Sequence, residues 1–511
     1  MSAAFDCIVI GSGASGVACA SALLAAGRRV HMLDVGIALE PERQTRVDSA
    51  RARGALTASN APWLAEQNTS DRIPRKLVFG SDFPFRHAKE HLNLSSDNFG
   101  AEPSFARAGL STVWGAAALP FSSHDIADWP VTERDLAPHF AACGALLGLS
   151  AEVDDLAEWL PLHGSPRGRL ETSKQARILL ETMQRNRADL ARRGLRFGRA
   201  RVAARSDACV YCGLCLHGCP ERAIYSADQT LRTLMNDPRF SYQDGAVVER
   251  IDDGGVYWRA HGAAETSMLR AERIFLAAGA ISSTSILLKS ANAYDRTVRI
   301  LDSQYFVLPL LMFRGGGKTR EEKLHTMAQL FLELRDPGIS PYTIHLQLYT
   351  YNSLMAGMMR RRLGALGEPL ARWGDARFVL VQGYLHSKHS GFAELTQRRD
   401  GLEARGVRVP ESRGVIDKVV GGLTRMSAQI GAIPVAPLME IAEPGRGFHI
   451  GGSLPMSAAP TYFETDTLGR PFGWRRVHVV DATVLPSIPA TTITYPVMAN
   501  AHRIGAAVAA L

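Results

Sequence analysis

Six residues near the N-terminus constrain this chain more than anything else in it. Gly11-Ser12-Gly13-Ala14-Ser15-Gly16 follows the mostly apolar run Phe5-Asp6-Cys7-Ile8-Val9-Ile10, and small residues continue to Ala26 before a stop at Gly27. A second apolar run, Val30-His31-Met32-Leu33, ends at Asp34. The order is strand, Gly-x-Gly-x-x-Gly, helix, strand, acid, which predicts a βαβ unit on a buried parallel sheet. Gly11 permits the tight turn, Gly13 lets backbone N–H groups approach a pyrophosphate, and Gly16 allows close helix–strand contact. The helix N-terminus adds free N–H groups and the positive end of its dipole. Asp34 stands where a carboxylate accepts hydrogen bonds from a ribose diol. The motif predicts a dinucleotide without choosing between FAD and NAD.

A chain of 511 residues, 46% hydrophobic and 21% charged, has the makeup of a globular protein of several domains. The net charge of +8 comes from 58 Lys+Arg against 50 Asp+Glu. Its densest basic run, Arg360-Arg361-Arg362, is too short for a nucleic-acid stripe, so no nucleic-acid partner is expected. No charged leader with an apolar core is visible, and no stretch of about 18 apolar residues suits a transmembrane segment. The expectation is a soluble, cytoplasmic protein.

Further along, residues 40–75 read as loop with short helix. Ala108–Gly115 is a loop of small residues, whose other reading is an ordinary turn. Thr132 is a good N-cap, with Asp135 three residues on, for a helix to about Leu149. Residues 245–251 and 255–260 alternate like a hairpin. Arg273–Ala280 reads as a buried strand ending in glycine, followed by a helix to Ser290. From about 297 to 395 the pattern turns antiparallel, with strands at Tyr342–Tyr349 and Arg377–Gln382. Residues 353–373 carry Met, Leu and Arg at helical spacing, which suits an interfacial membrane helix or, the preferred expectation, a surface helix packing on its own sheet; residues 414–430 form another amphipathic helix.

Cys209-x-x-Cys212-x-x-Cys215-x-x-x-Cys219-Pro220 holds four of the seven cysteines. That is the spacing of a bacterial ferredoxin run, with Gly213 and Gly218 giving the backbone freedom to curl. Three readings stay open: an iron–sulfur cluster, a structural zinc on four thiolates, and a loop with no metal. The cluster is the preferred expectation. Four close cysteines in an odd total do not make a secreted disulfide framework.

The C-terminal block carries a family resemblance. His449-Ile450-Gly451-Gly452-Ser453, Leu468-Gly469-Arg470-Pro471 and Val477-His478-Val479-Val480-Asp481-Ala482-Thr483-Val484-Leu485-Pro486 follow the N-terminal fingerprint, the Gly109–Gly115 loop and Ile274–Thr284 in order. The chain thus resembles the glucose–methanol–choline (GMC) oxidoreductases over most of its length, least from 150 to 205 and from 300 to 440. The resemblance implies an α/β fold, α+β overall, with a Rossmann-like FAD-binding domain and a substrate domain built on an antiparallel sheet. Residues 1–130, 206–296 and 441–511 would form the first, and 131–205 and 297–440 the second.

It also implies oxidation of an alcohol or sugar CH–OH group, with hydride passing to the flavin. Gly11, Gly13, Gly16 and Asp34 would hold FAD together with Gly109, Ser111, Trp114 and Gly115 against the isoalloxazine, Val248 near the adenine, and Ala278 and Asp481 near the flavin. Val113 stands where relatives with covalent FAD have a histidine, so noncovalent FAD is expected. His449 falls at the catalytic histidine, a natural base near neutral pH. The second active-site residue, usually His or Asn, is Thr492 here. A threonine can orient a hydroxyl but is no base at neutral pH; Thr491, Thr494 or Tyr495 could supply the missing contact. Tyr305, Tyr349 and Tyr351 could stack on a sugar ring. A cluster at Cys209, Cys212, Cys215 and Cys219 would give electrons a one-electron exit toward an acceptor protein. The competing expectations are an oxidase with a structural cysteine loop and a non-catalytic flavoprotein subunit.

Overall fold

The computed structural model describes residues 5–54, 76–317, 322–350 and 374–511, with the single positions 56, 63, 319 and 364. The expected helix over 353–373, Tyr351, and most of 55–75 lie outside the described residues.

Five short strands form a wholly parallel sheet in the order Val477–Val479, Arg273–Leu276, Cys7–Ile10, Val30–Leu33, Phe240–Gln243. Nearly every residue of the central strands is buried, as continuous apolar runs require when both faces of a sheet are covered. Helices Ala14–Ala25, Thr494–Ala509 and Glu133–Leu147 stack beside it. The first two touch closely because Gly505 has no side chain: a Cβ there would lie 3.0 Å from the Cys19 carbonyl oxygen. Helix Glu133–Leu147 begins as its sequence predicts. Thr132 accepts from the Asp135 amide and the Asp135 carboxylate accepts from the Thr132 amide, a complete capping box. The hairpin at 246–260 is also present, extended by a third strand, Thr266–Leu269.

A second, antiparallel sheet runs Ala432–Pro434, Tyr305–Met312, Phe378–Tyr384, Ile344–Thr350, Leu330–Leu334, Leu195–Arg199, with Glu440–Ile441 also on Tyr305–Met312. Helices Lys174–Arg185 and Pro410–Arg425 supply the apolar residues covering one face. The opposite face presents Tyr305, Phe331, Tyr349 and Tyr384, which pack with Ala117 and Ala490. A third, mixed sheet ties distant parts of the chain together by pairing Ile450–Gly451 with Thr297–Asp302, and Leu94–Asp97 with Leu402–Val407. Among the described residues no sheet closes into a barrel. Among the described residues no helix is long and apolar enough to cross a membrane.

Candidate active site

The Gly11–Gly16 turn sits at the C-terminal ends of the parallel strands, where open α/β sheets bind ligands. Its three glycines differ. A Cβ at Gly11 would lie 2.5 Å from the Ala277 carbonyl oxygen, on backbone held at φ +98°, and one at Gly16 would lie 2.0 Å from the Gly11 oxygen. At Gly13 a Cβ would meet nothing within 4 Å. Gly11 and Gly16 are therefore required by the fold, whereas the space at Gly13 is left open at the N-terminus of helix Ala14–Ala25. That is the cradle a pyrophosphate needs.

Asp34 ends the second strand and is buried. Ser12 and Tyr242 both donate to its Oδ2, the latter at 3.0 Å. Burial pushes its carboxyl up to about 6 against these hydrogen bonds, so the site suits a ligand that brings further donors, as a ribose diol does. The Ala246 amide donates to the Asp34 carbonyl at 2.8 Å, and the strand that begins there has a bulge between Val248 and Arg250. Ser12 also accepts from the Ala108 amide at 2.8 Å, pinning the Gly109–Gly115 loop over the glycine turn. Ala108 and Gly109 both adopt positive φ, and a Cβ on Gly109 would stand 3.4 Å from the Gly13 Cα. Within this loop Ser111 donates to the Ala108 carbonyl and accepts from the Ala227 amide. Trp114 donates its indole N–H to the Tyr225 carbonyl at 2.8 Å. These two side chains shape the loop; its backbone forms the floor.

Ala278 and Gly279 close the other side. Gly279 has φ +85° and open space around it. Asp481 accepts from the Gly279 amide at 2.8 Å and from Ser283, while its other oxygen caps Ala482–Val484 through the Thr483 amide. Its carboxylate thus locks the loop before helix Ala280–Ser290. The glycine turn thus touches both the Gly109–Gly115 loop and the Ala277–Ala278 segment.

His449 reaches the same region from the third sheet. Gly451 lets its strand press on the 481–484 segment, since a Cβ would lie 2.2 Å from the Ala482 oxygen. The Ser303 amide holds the His449 carbonyl at 3.1 Å, and the ring stacks on Tyr384 at 4.7 Å. Its Nδ1 is shielded and makes no hydrogen bond among the described residues. Burial, helped by the nearby His345, pushes its pKa down to about 3, so the ring is neutral at physiological pH. Thr492 donates its one hydroxyl proton to the Ala117 carbonyl at 3.0 Å, leaving only lone pairs for a substrate. The neighbouring Thr491 hydroxyl is buried and has no hydrogen-bond partner among the described residues. Tyr495 is committed to the Phe140 carbonyl.

The antiparallel sheet, which meets His449 through Tyr384, carries residues the sequence reading missed: Glu333, His345, Gln347 and Tyr384. The signal was present, because His345, Gln347 and Tyr349 recur with period two on a strand otherwise apolar.

Cys209, Cys212, Cys215 and Cys219 are free thiols lining one small cavity with Tyr211 and Met327. Backbone N–H groups point at the sulfurs: Ala223 at Cys219 (3.2 Å) and Thr326 at Cys215 (3.4 Å). Burial raises Cys209 to about 11 and Cys212 to about 12, so metal binding has to release protons. Among the described residues no three His, Cys, Asp or Glu side chains converge tightly enough to hold a metal ion as they stand. The donor chemistry therefore fits a thiolate-held group, while the side chains themselves are not gathered around one point. Lys76 joins this cavity to the Gly109–Gly115 loop. Its ammonium donates to the Trp114 carbonyl at 3.0 Å and lies close enough to Cys215 and Cys219 to feel their charge.

Residues 437–501, which include His449, Asp481 and Thr492, match the family model described as GMC oxidoreductase. Among solved structures, pyridoxine 4-oxidase from Mesorbium loti superposes with a TM-score of 0.63 at 15% identity, over 98% of each chain. No curated protein matches the sequence.

Proposed function

We propose that this chain is a GMC oxidoreductase, an FAD-dependent enzyme acting on a CH–OH group, as the match of residues 437–501 to that family supports, and that it oxidises an alcohol or sugar with His449 as the base. The observation that carries this reading is the shielded, unpartnered Nδ1 of a neutral His449 beside the dinucleotide crevice. Oxidising an alcohol removes a hydride from carbon and a proton from oxygen. FAD, when bound, supplies the hydride acceptor. His449 takes the hydroxyl proton, and Thr492, whose own proton is engaged, accepts rather than donates at the substrate.

In this reading Gly11, Gly13 and Gly16 receive the pyrophosphate, Asp34 the ribose and Val248 the adenine. Gly109, Ser111, Trp114 and Gly115 lie along the isoalloxazine, with Ala278 and Asp481 on its far side. Val113 offers no nucleophile for a covalent tether, so FAD is held noncovalently. The FAD domain comprises 1–130, 206–296 and 441–511; 131–205 and 297–440 carry the substrate. The seven unpaired thiols suit a reducing compartment, the cytoplasm.

The cysteine loop is read as an iron–sulfur site on Cys209, Cys212, Cys215 and Cys219. Its support is the ferredoxin spacing, the shared cavity and the amide donors to sulfur. A cluster there would accept electrons singly, and Trp114 and Lys76 bridge the flavin loop to it, which makes the protein a dehydrogenase serving an acceptor protein. A second reading, an oxidase with a structural loop, is favoured by the ungathered cysteines. The test is the iron-to-flavin ratio of protein purified without oxygen. Flavin with several irons per chain is expected. Flavin without iron, together with oxygen uptake on alcohols, selects the oxidase.

A further inference from the structure

Four polar side chains on the buried face of the antiparallel sheet form one chain of hydrogen bonds. The Tyr349 hydroxyl donates to Gln347 Oε1 at 2.8 Å. Gln347 Nε2 lies 3.0 Å from His345 Nε2, and His345 Nδ1 lies 2.7 Å from Glu333 Oε1. Glu333 and His345 are 0% exposed. An amide nitrogen can only donate, so His345 Nε2 must accept, its single proton sits on Nδ1, and that proton goes to the Glu333 carboxylate. Every donor in the chain points toward Glu333.

The register makes this arrangement inevitable once the strands pair. Glu333 stands directly opposite His345, and His345 opposite Tyr384. His345, Gln347 and Tyr349 alternate onto the same face. Tyr384 in turn stacks on His449. At the open end of the chain, a Cβ on Gly115 would stand 3.8 Å from the Tyr349 oxygen. Tyr349 therefore meets the loop proposed to lie along the flavin, with its proton turned away.

We propose that the Glu333–His345–Gln347–Tyr349 chain fixes the Tyr349 oxygen as a hydrogen-bond acceptor at the substrate face, so that the site selects alcohols carrying a second donor, a hydroxyl or ring N–H, beside the carbon oxidised. This rests on the preceding reading in one respect, that the Gly109–Gly115 loop borders the flavin. Glu333 is the polarity setter. If it is replaced by leucine, which offers no acceptor, nothing holds the imidazole proton on Nδ1: the proton moves to Nε2, the Gln347 amide turns over, and Tyr349 becomes free to donate outward.

Two measurements on the FAD-loaded protein test this. In ¹⁵N-histidine NMR, with His345 assigned by its loss in His345→Gln, the proton is expected on Nδ1 in the native protein and on Nε2 in Glu333→Leu. A proton on Nε2, or on both nitrogens, in the native protein overturns the proposal. Binding of phenol and of anisole, read from the visible spectrum of the bound flavin, gives the second readout. Phenol should bind about tenfold more tightly, one hydrogen bond's worth. That preference should vanish in Tyr349→Phe and in Glu333→Leu. No preference in the native protein, or one that survives both substitutions, contradicts it. Flavin reduction in His449→Ala separates the two claims: an unimpaired rate removes the base and leaves the phenol preference to stand or fall alone.

Discussion

Gly13 and Gly16 are three positions apart and answer the addition of one methyl group in opposite ways. Gly16→Ala drives a Cβ into the Gly11 carbonyl, so little folded protein is expected from it. Gly13→Ala meets nothing in the chain itself. It should fold with an unchanged far-ultraviolet spectrum and yet lose FAD, with affinity reduced at least about tenfold because a methyl fills the phosphate cradle. Normal FAD content in Gly13→Ala would place the cofactor elsewhere. At His449 the expectation is kinetic: alanine should slow flavin reduction by about 10²–10⁴ while leaving FAD bound. Thr492→Val should cost far less, since its hydroxyl already serves the Ala117 carbonyl. That bond joins residues far apart in the chain, so nothing in the local sequence could announce it. The glycines, Asp34 and His449 were legible because each belongs to a short motif with its own mechanical reason. Glu333 was not, because its meaning depends on which residue of another strand it faces.

Among the elements, legibility followed periodicity. Cys7–Ile10, Val30–Leu33 and Arg273–Leu276 are mostly apolar runs, broken only by His31 and Arg273, and each became a largely buried parallel strand. Ile344–Thr350 was recognisable as a strand one or two residues out of step with Tyr342–Tyr349. Which of its faces met the active site was not, since the alternation distinguishes faces without saying what covers them. Thr266–Leu269 is mostly exposed and carried too little apolar pattern to be seen beside the hairpin it joins. The amphipathic run at 414–430 divides into Pro410–Arg425 and Ser427–Ile430, the break falling at Met426. The cysteine loop tests an element as a unit. Replacing Cys212 with Ser should remove most iron while the flavin remains, because that loop and the glycine turn belong to separate parts of the chain. Iron content that is unchanged would assign the metal to other ligands.

For the whole molecule, buried histidines set the response to acid. Burial holds His139, His217, His325 and His478 near 4, and His386 and His449 near 3, against an ordinary 6.5. Between those values the unfolded chain binds protons that the folded chain refuses, so these groups withdraw stability as pH falls below about 6.5. Asp34 and Asp154, raised to about 6, and Asp302, raised to about 7, work in the opposite direction, taking up protons in the folded state. The histidines outnumber them and are shifted comparably, so Tm should fall steadily from pH 7 to pH 5. A Tm that is flat or rises over that interval would mean that the carboxylates dominate.

The same scale holds the central claim, that a dinucleotide crevice, a neutral histidine and a polar sheet face together oxidise an alcohol. Its most direct measurement is anaerobic mixing of the purified flavoprotein with a panel of primary and secondary alcohols and sugars, following the bleaching of the flavin's visible band in native protein and in His449→Ala. The account predicts rapid bleaching by at least one hydroxyl compound and a loss of about 10²–10⁴ in that rate in the variant. Flavin that no member of the panel reduces, or bleaching that is indifferent to His449, would contradict it.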